Sequence, residues 1–311
     1  MSQGDIAQES SKKKVAGVFG RLFERGEHSR SAKTTTLDLD DIQGFILRGY
    51  RMPMVRHFLL TVGVPAEARK LLGRLVSGDE SDAPQITTAE EWQVGFEAGP
   101  GDNAAEVSRH KPDYCLNLGI TWQGMMALEI KDRVPTLSFN SFGAFIAGAA
   151  ARAKLVGDTG PSDPQNWIGD FGKGSDHVLL TLHALSPECL ATYSERLAAL
   201  FAEGNAFREI WRQDGMALME MKDGKPVFTS KVPFGYTDGL SVTTIRGGPE
   251  LSRQDHQQPC EPWLFVLRDE AENYIVPEPR ELGLNGSFAV FKMIMKMLLG
   301  SKISCNRTRT K

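Results

Sequence analysis

The sequence predicts an α+β fold, on three observations. Two segments alternate apolar and polar residues with the period of a half-buried strand. Each leads into a helix opened by proline, and two further strand-like stretches lie between them.

In the first segment, "RHFLLTVGV" (56–64), Phe58, Leu60, Val62 and Val64 share a face. Pro65 then opens "PAEARKLLGRL", where Leu71, Leu72 and Leu75 line one side of a short helix. Candidate strands follow at "QVGFEA" (93–98) and "CLNLGIT" (115–121), with helices expected at "WQGMMALEI" and "FGAFIAGAAARAKL". The second alternating segment, "DHVLLTLHAL" (176–185), aligns Val178, Leu180, Leu182 and Ala184. Ser186 supplies an N-cap and Pro187 the first turn of a helix over "ECLATYSERLAALFAE". From residue 56 to residue 185 the order reads strand, helix, strand, strand, helix, strand. That is the order of a ferredoxin-like unit.

Composition narrows the function classes. The 311 residues carry 36 basic and 39 acidic side chains, a formal net charge of -3, so no whole-protein field favours nucleic acid or an anionic membrane. Cys115, Cys189, Cys260 and Cys305 are widely spaced, which indicates neither a zinc site nor a disulfide framework and suits a reducing cytoplasm. The run "FGAFIAGAAA" (142–151) stops at Arg152, short of the ~20 residues that cross a bilayer, and reads as a buried helix. Residues 1–36 form a polar, flexible basic arm. Within it Val15, Val18, Phe19, Leu22 and Phe23 recur at helical spacing beside Lys12, Lys13, Lys14, Arg21 and Arg25. This stretch suits a membrane surface or a targeting signal, or else an arm docked on its own domain or a partly ordered tail; its two glycines favour the last pair of readings. Gly-, Pro- and Asp-rich loops are expected at 157–175 and 242–262.

No P-loop, zinc-protease, serine-hydrolase or Rossmann fingerprint is present. Six histidines occur, none at the i, i+4 spacing of a helical metal pair. His177 and His183 share a strand face with Thr181, a pattern more common in partly solvated strands than in metal sites. The stretch "VPFGYTDGLS" (232–241) sets Asp238 between Gly235 and Gly239. By itself a GxxDG is a structural turn more often than a site, because Asp-Gly is a favoured turn pair.

Its company changes that reading. "LDLDDIQGFILRGY" (37–50), "LNLGITWQGMMAL" (116–128), "FGAFIAGAAARAKLVGDTG" (142–160), the GxxDG stretch and "VPEPRELGLNGSFAVFK" (276–292) follow one another in an order that resembles the dye-decolourising (DyP-type) haem peroxidases. The resemblance runs from about Leu37 to Lys292. It implies two ferredoxin-like units, haem b as cofactor, and oxidation of dyes and phenolic donors by hydrogen peroxide. It further implies Asp238 as the acid–base catalyst over the open haem face, with Gly235, Tyr236, Thr237 and Gly239 as the cofactor-binding residues of the same turn. Glycines on both sides allow a backbone approach that a Cβ would forbid. Trp167, Trp211 and Tyr236 are candidate electron relays, with packing as the default for each.

The sequence departs from the family pattern after Lys292. The family's iron-ligating histidine lies in an "AHIR…NPR" stretch and its distal arginine before a "GIPYG"-like one, and neither occurs here. "PWLFVLRDE" (262–270) also differs from the family's usual opening there. The expectation is one complete unit over 37–230, the GxxDG loop and the opening of a second unit over 231–292, and a divergent tail over 293–311, a C-terminally truncated member. Three readings stay open: a shortened peroxidase, a non-catalytic binding or assembly module, and substitution of the iron ligand by His256. Hydrogen peroxide and small aromatic donors are the expected partners, nucleic acid is not, and the unfinished strand edge near Ser287–Lys292 favours a homo-oligomer.

Overall fold

The computed structural model describes residues 37–50, 52–77, 83–91, 112–130, 136–229, 231–232, 243–248 and 258–293. These belong to two compact units, the first holding residues up to 216 together with 243–287, the second holding 217–232 and 288–293.

In the first unit, α1 (Gly44–Leu47) precedes β1 (Met54–Val62) and α2 (Pro65–Ser77). Then come β2 (Tyr114–Ile120), α3 (Trp122–Ala127) and α4 (Gly143–Arg152). The series closes with β3 (Val178–Ala184), α5 (Pro187–Ala202) and β4 (Phe207–Met216). The strands form one sheet in the order β2-β3-β1-β4, every neighbouring pair antiparallel. This is the ferredoxin-like arrangement, and the fold is α+β. The six elements differ from those read in the sequence. Here β3 is the third strand, not the closing one, and β4 closes the unit, while 93–98 lies outside the described residues.

One sheet face is the core. Phe58 and Leu60 of β1, Leu116 of β2, and Val178, Leu180 and Leu182 of β3 pack with Leu71, Leu72 and Leu75 of α2 and with Leu190, Leu197 and Phe201 of α5. Each such side chain contributes about 1.5–3 kcal/mol on burial. The alternation expected in β3 is present at every position. In β1 it is not, because Leu59 on the other face is buried as well, and Val64 falls beyond the strand and is exposed. α2 buries the three leucines read from its spacing. α5 begins as its sequence suggests, with Ser186 Oγ accepting from the Cys189 N–H at 3.1 Å and Pro187 in the first turn.

The run 142–151 does not form a buried helix. No α4 residue is buried; Phe145 and Ile146 pack against the core from one side, while Ala144, Ala147 and Ala149 are exposed. At Gly148 the backbone turns to φ 75°, which interrupts the helix and leaves Gly and Ala with little side chain to bury. After α4 a chain of 3-10 turns leads through the loop at 157–175, tied down by Asp176, whose carboxylate accepts from the Gly172 and Gly174 N–H groups at 3.0 and 3.2 Å. No helix among the described residues is long and apolar enough to cross a membrane. A short α6 (Arg280–Gly283) follows in the same unit.

The second unit contains a hairpin of β5 (Met219–Lys222) and β6 (Lys225–Phe228). Asp223 (φ 53°) and Gly224 (φ 75°) form its two-residue turn, the left-handed pair that suits strand twist.

Candidate functional site

Gly235, Tyr236, Thr237, Asp238 and Gly239 lie outside the described residues, as does His256. The structure does describe the flanking motifs on which the resemblance rests, and it shows what they do.

In the DIQG stretch, Gln43 acts as a spliced piece of backbone. Its Nε2 donates to the Leu118 carbonyl at 2.9 Å and its Oε1 accepts from the Leu118 N–H at 2.8 Å, so one side-chain amide satisfies both polar groups of a β2 residue. Asn117 Nδ2 donates to the same Oε1 at 3.3 Å. Only an amide of this length carries both the donor and the acceptor. Gly44 N–H donates to the Thr87 carbonyl, and Ile86 bridges Leu116, so residues 86–88 sit beside β2. Sequence reasoning missed this edge, since "PQITTAE" has no strand-like alternation.

The other motif meets the first. Asn285 of NGSF, at φ 60°, donates from Nδ2 to Asp41 Oδ2 of DIQG at 3.0 Å. Its Oδ1 accepts from Arg268 at 3.1 Å, and Arg268 also donates twice to Glu270 at 3.1 and 3.2 Å. Burial disfavours the Glu270 carboxylate, but the hydrogen bonds from Arg268 and backbone outweigh it and hold its pKa below the ordinary range. Backbone bonds pair Leu267 with Asn285 and Gly286. Asp41, Arg268 and Asn285 thus form one polar knot between three distant segments.

The sheet face opposite the core sets polar and aromatic groups beside the buried Leu59 and Cys115. His57 Nδ1 lies 3.0 Å from Thr181 Oγ1, across a β1–β3 pair. His183 packs edge-on to Tyr50 at 5.1 Å and stacks on Phe45 at 6.2 Å. Burial, with His57 nearby, pushes the His183 pKa down to about 4, and burial also lowers that of His57. His183 Nε2 and Asn117 Oδ1 are buried without a hydrogen-bond partner. His177 takes a different place from His183: its Nδ1 accepts from the Val62 N–H at 2.9 Å and its Nε2 faces the Gly174 carbonyl at 3.1 Å. It pins the loop to the sheet. Among the described residues no three His, Cys, Asp or Glu side chains gather as a metal centre would require. The three described histidines do not fit an axial iron ligand, because each is committed to the sheet by a bonding partner or by rings packed on it.

Trp167 donates from Nε1 to the Ser162 carbonyl at 2.9 Å, and Trp211 packs edge-on to Phe171 at 5.0 Å. Both are held in the loop-and-sheet surface of the first unit.

No family model matches the chain, and no curated protein matches it. Solved structures do. An ancestral D-type dye-decolorizing peroxidase shares 25% identity at a TM-score of 0.57, over 75% of this chain and 45% of that one. The described fold is that of the dye-decolourising peroxidases. Such a peroxidase in complex with 2,6-dimethoxyphenol matches at 22% identity and a TM-score of 0.56, over 76% of this chain and 46% of that one. A fungal DyP-type peroxidase from Auricularia auricula-judae matches at 18% and 0.53, over 74% and 43%. These two bear on the fold alone. The chain spans less than half the length of each of the three.

Proposed function

We propose that this chain is the GxxDG-bearing portion of a hydrogen-peroxide-dependent peroxidase acting on dyes and phenolic donors, cytoplasmic, with Asp238 as its acid–base residue. The observation that supports the reading is the ferredoxin-like unit similar to a D-type peroxidase, in a chain whose sequence also holds GYTDG among the motifs that resemble that family. On this reading an ionised Asp238 accepts a proton from one oxygen of hydrogen peroxide and returns it to the other, so that the departing oxygen leaves as water. Gly235 and Gly239 set the turn; Tyr236 and Thr237 line it. Haem b is the expected cofactor and would supply the electrons for O–O cleavage. The domain limits at 37–230, 231–292 and 293–311 belong to the same proposal.

The second reading, a non-catalytic binding or assembly module, is favoured by the described histidines, none of which suits iron. Hemin titration of the purified chain in the Soret region, followed by dye oxidation with hydrogen peroxide, separates the two. Peroxide-dependent turnover that falls by roughly two to four orders of magnitude in Asp238→Asn, with haem affinity unchanged, supports the peroxidase. Absence of haem uptake and turnover supports the module.

A further inference from the structure

Eleven methionines occur in the chain; among those described, Met54 and Met126 are half-buried against the core, Met293 is 38% exposed, and the others lie at the two extremes. Met52 and Met125 are 9% and 7% exposed, the first packed with Tyr50 and Cys115, the second in the main core. Met216, the last residue of β4, is 60% exposed; Met219 and Met221 of β5 are 46% and 70% exposed. Met219 and Met221 stand two residues apart on a strand, so their thioethers project from one face. Glu220 between them is ion-paired with Lys231.

We propose that Met216 at the end of β4 and, independently of it, Met219 and Met221 of β5 are sites of reversible sulfoxidation by hydrogen peroxide. A sulfur lone pair attacks one peroxide oxygen, the S–O bond forms as the O–O bond breaks, and the departing hydroxide takes the proton left on the transferred oxygen. One thioether and one hydrogen peroxide give one sulfoxide and one water; sulfur loses two electrons and the peroxide gains them. The reaction requires an accessible thioether and no metal. A sulfoxide at Met52 or Met125 would place a strongly polar oxygen in packed apolar surroundings. At the three exposed positions it meets water; at Met219 and Met221 the modification turns one face of β5 polar, and the four-stranded core is left as it was.

The inference goes beyond the peroxidase reading and stands without it, since the test uses the haem-free full chain and peroxide alone. After graded exposure to hydrogen peroxide, peptide mass spectrometry should find Met216, Met219 and Met221 oxidised on the order of tenfold faster than Met52 and Met125. Treatment with the two methionine sulfoxide reductases should reverse it, and the melting transition should be unchanged when the three are oxidised. Oxidation of Met52 or Met125 at the same pace, or loss of the cooperative transition with the first sulfoxides, would overturn the proposal. In the variant M216L/M219L/M221L, Met52 and Met125 should keep their slow rate and the melting transition its position; Met52 or Met125 oxidising at a fast rate in that variant would equally overturn it.

Discussion

In β3, Val178, Leu180, Leu182 and Ala184 are all buried, whereas all four residues of β5 are exposed. Both are strands, made by different causes. β3 exists because a four-residue apolar face has α2 and α5 to cover it; the β5–β6 hairpin exists because Asp223-Gly224 supplies the turn its twist requires. A strand of the first kind stores stability in its side chains, and one of the second kind stores little there.

The largest effect should come from the core. Leu180→Ala should cost about 2–5 kcal/mol in denaturant unfolding, while Met221→Ala, in the hairpin, should stay within about 0.5 kcal/mol. Comparable losses at the two sites would break the contrast. Next comes acid. His57, His177 and His183 all have pKa values lowered by burial, so the unfolded chain binds more protons than the folded one at mildly acidic pH. Their stabilising contribution is complete above the unfolded histidine value of about 6.5 and is lost as pH falls, for His183 down to about 4. His183 alone should account for on the order of 3 kcal/mol of that loss, and His183→Phe should flatten the stability profile between these limits.

Gln43→Ala should cost about 1–3 kcal/mol by leaving the Leu118 N–H and carbonyl without their shared partner. Gln43→Glu should be no better, since a carboxylate offers the carbonyl no donor; a Glu variant as stable as the parent would remove the splice from the account. The smallest effect concerns the cap: Ser186→Ala should lower the unfolding free energy by about 1 kcal/mol, seen as a small shift in denaturant midpoint.

Much of this fold was legible in the sequence where burial is one-sided. β3, α2 and α5 follow from spacing, and the Ser186-Pro187 start follows from capping chemistry. β4 was not legible. Its register shifts against β1 between Leu59 and Leu60, which changes the parity of its side chains partway along. On the helix side of the later half stand Asp214, in a two-pronged ion pair with Arg56 at 2.6 Å, and Arg212, lying over the Phe58 ring. Charged residues that cover a core in this way hide the alternation that would have announced the strand. α4 failed in the opposite sense, because an apolar run of small residues looks buried to a hydropathy count while having little surface to bury. At the candidate site, the glycines around Asp238 were legible as a pattern. The knot of Asp41, Arg268 and Asn285 was not, because its members are polar, far apart in sequence and joined only by folding.

That knot also sets a clock. Asp41 and Asn285 are 244 residues apart. A ribosome adding about 5–20 residues per second makes the second partner roughly 12–49 s after the first. Through that interval β1, β3 and α5 can assemble and Gln43 can join the DIQG segment to Leu118, while the contact at Asp41 waits for Asn285. This polar contact of the first unit is therefore made late, by a segment synthesised well after the sheet, and a chain arrested before residue 285 would carry a folded sheet, joined to DIQG through Gln43, with the Asp41–Asn285 bond still unmade.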